Sequence, residues 1–174
     1  TWGVDYLLLD KEGNRLADPA CYRDPRTVGL DAEFVERFGK ERLQRLTGIQ
    51  IMNINTLFQL YAESRANADY AARAEHFLFV PDYIAYRLSG VIANEFTIAS
   101  TSQLLDCAKA DWSDELLEAV RLPRRCVKPL TQPGTRIGTC DFSGVKGLEG
   151  VPCVMVGSHD TASGVAAAPA VGEK

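Results

Sequence analysis

The 174 residues are 46% hydrophobic and 24% charged, the balance of one compact globular domain with a sizeable core rather than of a disordered tail. Nineteen Lys and Arg against 23 Asp and Glu leave a formal net charge of −4, without the basic surplus that phosphate neutralisation on nucleic acid requires. The longest apolar stretches fall far short of the roughly 18 to 20 residues that span a bilayer, so neither nucleic acid nor a membrane is an expected partner.

The chain has no initiator Met and opens at Thr1 directly before the apolar run Val4-Asp5-Tyr6-Leu7-Leu8-Leu9, as a piece of a longer protein would. Residues 2–10 read as a strand, which the turn cluster Lys11-Glu12-Gly13-Asn14 folds back onto a second strand at Arg15-Leu16. Phe34, Val35, Phe38, Leu43 and Leu46 recur at helical spacing among Glu, Arg and Lys, which predicts surface helices with one buried stripe, stopped at Thr47-Gly48. Asn53-Ile54-Asn55-Thr56 offers caps for a helix carrying Leu57, Phe58, Leu60 and Tyr61, with a polar face through Glu63, Ser64 and Arg65. Pro81 suits the first position of the next helix, Tyr83, Ile84, Tyr86 and Leu88 are its apolar positions, and Gly90 is its stop.

Residues 97–106 fit either a capped helical turn or a short strand. Trp112-Ser113-Asp114-Glu115 opens a helix through Leu116, Leu117 and Val120, and Pro123 closes it. Pro, Gly and Thr dominate residues 124–150, which predicts loops and brief strands within the same domain. Val151-Pro152-Cys153-Val154-Met155-Val156-Gly157 reads as a strand buried on both faces, and a helix of small residues begins just after Ser158-His159-Asp160-Thr161. Strands that alternate with helices make the class α/β.

The strand-to-helix junction at Ser158-His159-Asp160-Thr161 is where chemistry is expected, because ligands of α/β sheets bind beyond the carboxyl ends of strands. Asp160 at a helix N-terminus is placed to accept a proton from a substrate hydroxyl. His159 and Thr161 offer a ring nitrogen and a hydroxyl to a polyol. The same residues also fit a plain helix cap and a solvated loop. Trp2-Gly3 pairs a flat apolar wall with a residue that permits close backbone approach, and equally fits a core Trp beside a strand-edge Gly. An Asp24–Arg26 ion pair that fixes a loop, caps or turns at Asp82 and Asp106, and a solvated Arg124-Arg125 pair are the expected roles of the remaining charges.

Neither nucleotide-binding glycine fingerprint, Gly-x-x-x-x-Gly-Lys-Ser/Thr or Gly-x-Gly-x-x-Gly, occurs. Cys21, Cys107, Cys126, Cys140 and Cys153 form no Cys-x-x-Cys pair and only His76 and His159 accompany them, so the chain encodes no zinc site of ordinary spacing. Reduced thiols in a cytoplasmic protein are the better reading of that scattered, odd set.

In order along the chain, Thr1-Trp2-Gly3-Val4-Asp5, Asp10-Lys11-Glu12-Gly13-Asn14, Tyr22-Arg23-Asp24-Pro25-Arg26-Thr27, Val80-Pro81-Asp82-Tyr83 with Tyr86-Arg87-Leu88-Ser89-Gly90, Asn94-Glu95 with Ala99-Ser100-Thr101, and Ser158-His159-Asp160-Thr161-Ala162-Ser163 resemble the FGGY carbohydrate kinases. The resemblance covers essentially the whole chain. It implies an actin-like, ribonuclease H-like fold of two domains with ATP and sugar between them, of which residues 1–174 are most of the first, sugar-binding domain. The phosphate hairpin expected before Thr1 and the nucleotide domain lie outside these residues, and with them the ATP contacts.

By that resemblance Gly3, His159, Asp160 and Thr161 contact the sugar, Trp2 lines the same pocket, and a further contact falls at residues 51–53. Asp160 becomes the base for the C1 hydroxyl of a ketose, L-rhamnulose first, with L-fuculose and D-xylulose as alternatives. ATP and Mg²⁺ serve the intact enzyme, and neither is expected on this piece alone. The piece itself is expected to be inactive and to self-associate through an exposed sheet edge. A non-catalytic sugar-binding module of the same fold is the competing reading.

Overall fold

The structure is a computed structural model that describes residues 1–67, 69–142 and 144–169. The first half contains β1 (Tyr6–Leu9), α1 (Leu30–Phe38), α2 (Lys40–Thr47), α3 (Thr56–Ala66), α4 (Tyr70–Arg73), β2 (His76–Phe79) and α5 (Val80–Ser89). The second contains β3 (Asn94–Glu95), α6 (Phe96–Ala99), β4 (Leu105–Asp106), β5 (Asp111–Trp112), α7 (Asp114–Ala119), β6 (Leu130–Thr131), β7 (Arg136–Thr139), β8 (Pro152–Val154) and α8 (Asp160–Ala167). The strands pair as four two-stranded ribbons: β1 with β2, β4 with β5 and β7 with β8 antiparallel, and β3 with β6 parallel.

The first strand is shorter than its apolar run. It holds only Tyr6–Leu9, and its main partner is β2, in the register Tyr6↔Phe79 to Leu9↔His76. The expected second strand at Arg15-Leu16 is reduced to a bridge between Leu9 and Arg15 and one bond from Leu16 N to Leu8 O. Asp10 explains the turn between them, because its Oδ1 accepts from Glu12 N (3.0 Å) and Asn14 N (2.8 Å). β2 had no signal of its own: its His-Phe-Leu-Phe is four residues long and runs straight into α5.

The core forms where this ribbon meets α3. Phe77 stacks on Tyr6 at 5.3 Å and meets Trp112 edge-on at 6.0 Å, while Phe79 stacks on Trp112 at 6.4 Å. Phe34 of α1 packs edge-on against Phe58 and Tyr61 of α3. α3 is buried over most of its length, Gln59 and Ser64 included, so of the polar face expected through Glu63, Ser64 and Arg65 only the half-buried Glu63 and the exposed Arg65 remain. Asn55 precedes α3 as expected but caps nothing with its side chain; its amide donates to Gln50 O and Gln103 Oε1, both at 2.9 Å. Gly48 and Gly90 end α2 and α5 in the left-handed conformation that suits glycine, and Ser113 Oγ caps α7 by accepting from Leu116 N.

The segment 151–157 departs from expectation. β8 covers only three of these residues, Val151, Val154 and Val156 are exposed, and Met155 alone is buried. The reason is pairing: β8 hydrogen-bonds β7 in a surface ribbon, and a single ribbon covers neither face of its own strand. The Asp24–Arg26 ion pair is also absent among the described residues. Asp24 Oδ1 accepts from the backbone N of Arg26 (2.9 Å), whereas the Arg26 guanidinium donates to Gln59 Oε1 (3.0 Å).

A buried polar chain joins α5 to β3. Asp82, fully enclosed, accepts from Asn94 Nδ2 (3.2 Å), Glu95 N (3.1 Å) and Phe79 N (3.4 Å). Burial pushes the Asp82 carboxyl up to about 7 despite these donors, and the nearby Glu95 charge adds to the effect. Because the folded state holds this proton more tightly than the unfolded chain, Asp82's contribution to stability falls as pH rises from about 4 to about 7. The Tm of Asp82→Asn relative to the unsubstituted chain should therefore climb by several degrees across that window. Thermal melts of both at pH 4 and pH 8 check this, and a constant difference would show that Asp82 titrates alike in both states.

Candidate functional site

Ser158, His159 and Asp160 carry the chain from the β7–β8 ribbon into α8, and each backbone N–H has a fixed acceptor. Ser158 N donates to Glu95 Oε2 (3.2 Å), His159 N to Thr97 Oγ1 (3.3 Å) and Asp160 N to Thr1 O (2.9 Å). Thr1 N donates in return to Ser158 O at 2.8 Å, so the segment before β1 lies beside the segment before α8. Asp160 is the first residue of the helix, and His159 holds the N-cap position without a side-chain bond to the helix. Asp160 Oδ1 accepts from Thr161 N (2.7 Å) and lies 3.6 Å from His159 Nε2; Oδ2 has no hydrogen-bond partner among the described residues.

Next to this junction the backbone makes a tight turn. Val4 has φ +69°, a left-handed value that a β-branched residue adopts only under constraint, and Asp5 N bonds back to Gly3 O at 2.9 Å. The constraint is visible: Val4 N donates to Thr101 Oγ1 (3.1 Å), and Val4 O accepts from Thr56 Oγ1 (2.7 Å) and Gln59 Nε2 (3.2 Å). Residues 2–4 are thus a strained turn and not the start of a strand. The turn swings the Trp2 ring toward Asp5, whose Oδ2 accepts from the indole Nε1 at 2.8 Å. Asp5 is itself buried, which raises its carboxyl above the usual range against the hydrogen bond from Trp2.

Between turn and junction lies a cleft of about 460 Å³, a size that suits a small ligand. Trp2, Gly3, His159 and Asp160 all line it, and residues more than 150 positions apart in sequence therefore share one cleft. Of residues 51–53 only Met52 reaches it, while Ile51 packs against the core. Thr161 does not line the cleft; it is exposed beside Asp160, its Oγ1 3.4 Å from Oδ1. Ile49, Gln50, Ile54 and Asn55 build the floor from the loop before α3, and Tyr22, Ser100 and Thr101 complete the rim. These were missed as site residues, although Tyr22, Ser100 and Thr101 sit inside motifs already singled out. The lining mixes apolar side chains, among them Trp2, Ile49 and Met52, with hydroxyls, an imidazole and a carboxylate. That pairing suits a sugar, with its apolar and hydroxylated faces.

Among the described residues no group of three or more His, Cys, Asp or Glu is placed to hold a metal ion. The polar groups that line the cleft are the Asp160 carboxylate, the His159 imidazole, the Gln50 and Asn55 amides and the hydroxyls of Tyr22, Ser100 and Thr101.

The fold is that of sugar kinases. The crystal structure of xylulose kinase from Rhodospirillum rubrum superposes with a TM-score of 0.81 over 89% of this chain and 33% of its own, at 20% identity. The model of the FGGY family of carbohydrate kinases, N-terminal domain, matches residues 1–167, and the chain belongs to that family. Rhamnulokinase from Pectobacterium atrosepticum is 44% identical over 169 residues, covering 97% of this chain and 34% of the relative. Rhamnulokinase from Bacteroides thetaiotaomicron is 42% identical over 173 residues, covering 98% and 36%. The chain thus spans about a third of the length of the curated relatives it matches.

Gly3 has a steric reason to be glycine. A methyl group there would come within 2.9 Å of Thr101 Oγ1 and 3.0 Å of its Cβ and Cγ2. Thr101 cannot swing away freely, since its hydroxyl donates to Ile98 O (2.7 Å) while accepting from Val4 N. Gly3→Ala should destabilise the chain by roughly 1 to 3 kcal/mol, read as a fall in Tm of several degrees; an unchanged melt would mean that the turn relaxes at no cost.

Proposed function

We propose that the intact protein transfers a phosphoryl group from ATP to the C1 hydroxyl of a ketose, with L-rhamnulose as substrate and L-rhamnulose 1-phosphate as product in rhamnose catabolism. In this reading residues 1–174 are most of its N-terminal, sugar-holding domain, and the protein works in the cytoplasm. The observation that carries the proposal is the Asp160 carboxylate: it lines the cleft at the start of α8, together with Trp2 and Gly3, and its Oδ2 has no hydrogen-bond partner among the described residues. The substrate preference rests on the relatives named rhamnulokinase at 42% and 44% identity. L-fuculose and D-xylulose are the runners-up.

Each residue has a task in this scheme. Trp2 offers its face to the apolar side of the sugar, and Gly3 lets the backbone approach it. The His159 ring and the Thr101 hydroxyl border the polar side. Asp160 removes the hydroxyl proton as oxygen attacks, a role in which positioning and charge count for more than intrinsic basicity. ATP supplies the phosphoryl group and Mg²⁺ neutralises it by the family's chemistry, through residues outside this chain.

Ketose-dependent ATP consumption by the intact protein tests the reading, with L-rhamnulose, L-fuculose and D-xylulose compared. L-Rhamnulose should support the fastest turnover, and Asp160→Asn should lower kcat by roughly 10²- to 10⁴-fold. Turnover indifferent to that substitution would remove Asp160 from the mechanism, and no turnover with any ketose would leave a sugar-binding module. We further propose that the isolated chain associates through an exposed sheet edge, the one that strands upstream of Thr1 would cover in the intact protein. Light scattering should show mass rising with concentration; a monomer at all concentrations would count against it.

A further inference from the structure

Glu95 is fully buried and does not line the cleft, yet five donors converge on its carboxylate. Oε1 accepts from Thr97 N at 2.7 Å. Oε2 accepts from Thr97 Oγ1 (2.6 Å), Ile98 N (3.1 Å), Ser158 N (3.2 Å) and Ser158 Oγ (2.5 Å). Capping α6 would need only the two amides of Thr97 and Ile98. The two bonds from Ser158, 63 residues away, serve no local purpose.

Thr97 extends the same contact by one residue. Its hydroxyl donates to Glu95, which turns an oxygen lone pair toward His159 N at 3.3 Å. Glu95 thereby holds Ser158 directly and His159 through Thr97, the two residues that deliver Asp160 to the cleft. Glu95 is anchored in turn: its own N donates to Asp82 Oδ1, and β3 pairs with β6 opposite Thr131. We propose that Glu95, with Thr97, is a positioning pair for the sugar site, which sets the place of His159 and Asp160 without touching substrate. The inference rests on the reading of Asp160 as the base.

The chemistry makes the pair hard to replace. Glutamine at 95 would turn an N–H₂ toward donors and leave at least one buried donor unpaired. Aspartate is one methylene too short to span α6 and Ser158 together. Thr97→Val keeps the shape and removes the hydroxyl, so it frees His159 N and takes one of the five donors from Glu95 while the bonds from Ser158 stay, and Thr97→Ser keeps the hydroxyl.

The test uses the intact protein carrying Glu95→Gln, Thr97→Val, Thr97→Ser or Asp160→Asn. Thr97→Val should lower kcat on the order of 10- to 100-fold with KM changed far less, at a Tm near that of the unsubstituted protein, and Thr97→Ser should restore most of the rate. Hydrogen exchange by mass spectrometry should show faster exchange across residues 157–161 in Thr97→Val, and more so in Glu95→Gln. If Glu95→Gln fails to fold, the Thr97 pair decides alone. Unchanged exchange at 157–161 overturns the positioning claim whatever the activity. Full kcat in Thr97→Val beside a crippled Asp160→Asn overturns it while sparing the base assignment, whereas turnover that ignores Asp160→Asn removes the base assignment instead and leaves the exchange data to judge Glu95.

Discussion

A carboxylate stripped of water survives only where other donors replace its hydration, and the convergence on Glu95 meets that demand by drawing on two distant parts of the chain. Amides of α6 and both polar groups of Ser158 must arrive together, so α6 and the start of α8 are locked at one separation. The demand then propagates. Asp82, enclosed beside it, needs Asn94, Glu95 N and Phe79 N, which ties α5 and the β1–β2 ribbon to the same point. Asn94 in turn spans the core from Phe77 O to Lys128 N. The network is rigid because a missing partner would leave a buried charge or amide exposed to nothing polar.

The cleft inherits its shape from this frame. On one side stands Val4, held at positive φ by Thr56 and Gln59 of α3 and by Thr101 from the turn after α6. Such a conformation carries a cost of order 1 to 3 kcal/mol and persists only where the surroundings over-determine it. Here it aims Trp2 and opens the backbone at Gly3. On the other side the amides of Ser158, His159 and Asp160 are each claimed, so the Asp160 carboxylate has little freedom beyond its own side-chain torsions. A reaction that needs an oxygen nucleophile placed in line gains most from fixed walls.

The outer parts obey different rules. β8 and α8 keep valines on their surface, and every residue of α8 is exposed or half-buried. Small residues such as Ala162, Ser163, Gly164 and Ala166 form a helix with little side-chain bulk that begins at Asp160.

Composition and local chemistry determined much by themselves. The stops at Gly48 and Gly90 and the cap at Ser113 depend on contacts within a few residues, and those contacts are written in adjacent letters. Trp2, Gly3, His159 and Asp160 could be named from motifs, and so could the α/β class. Only the tertiary structure decided what depends on residues far apart. It turned residues 2–4 into a strained turn, gave β1 its partner at β2, buried Ser64, sent Arg26 to Gln59, and left β8 on the surface. It excluded Thr161 from the cleft while admitting Tyr22, Ser100 and Thr101. Glu95 shows the division most plainly: in the sequence it is one acidic residue among 23 Asp and Glu, and its role exists only because folding brings Ser158 to its carboxylate.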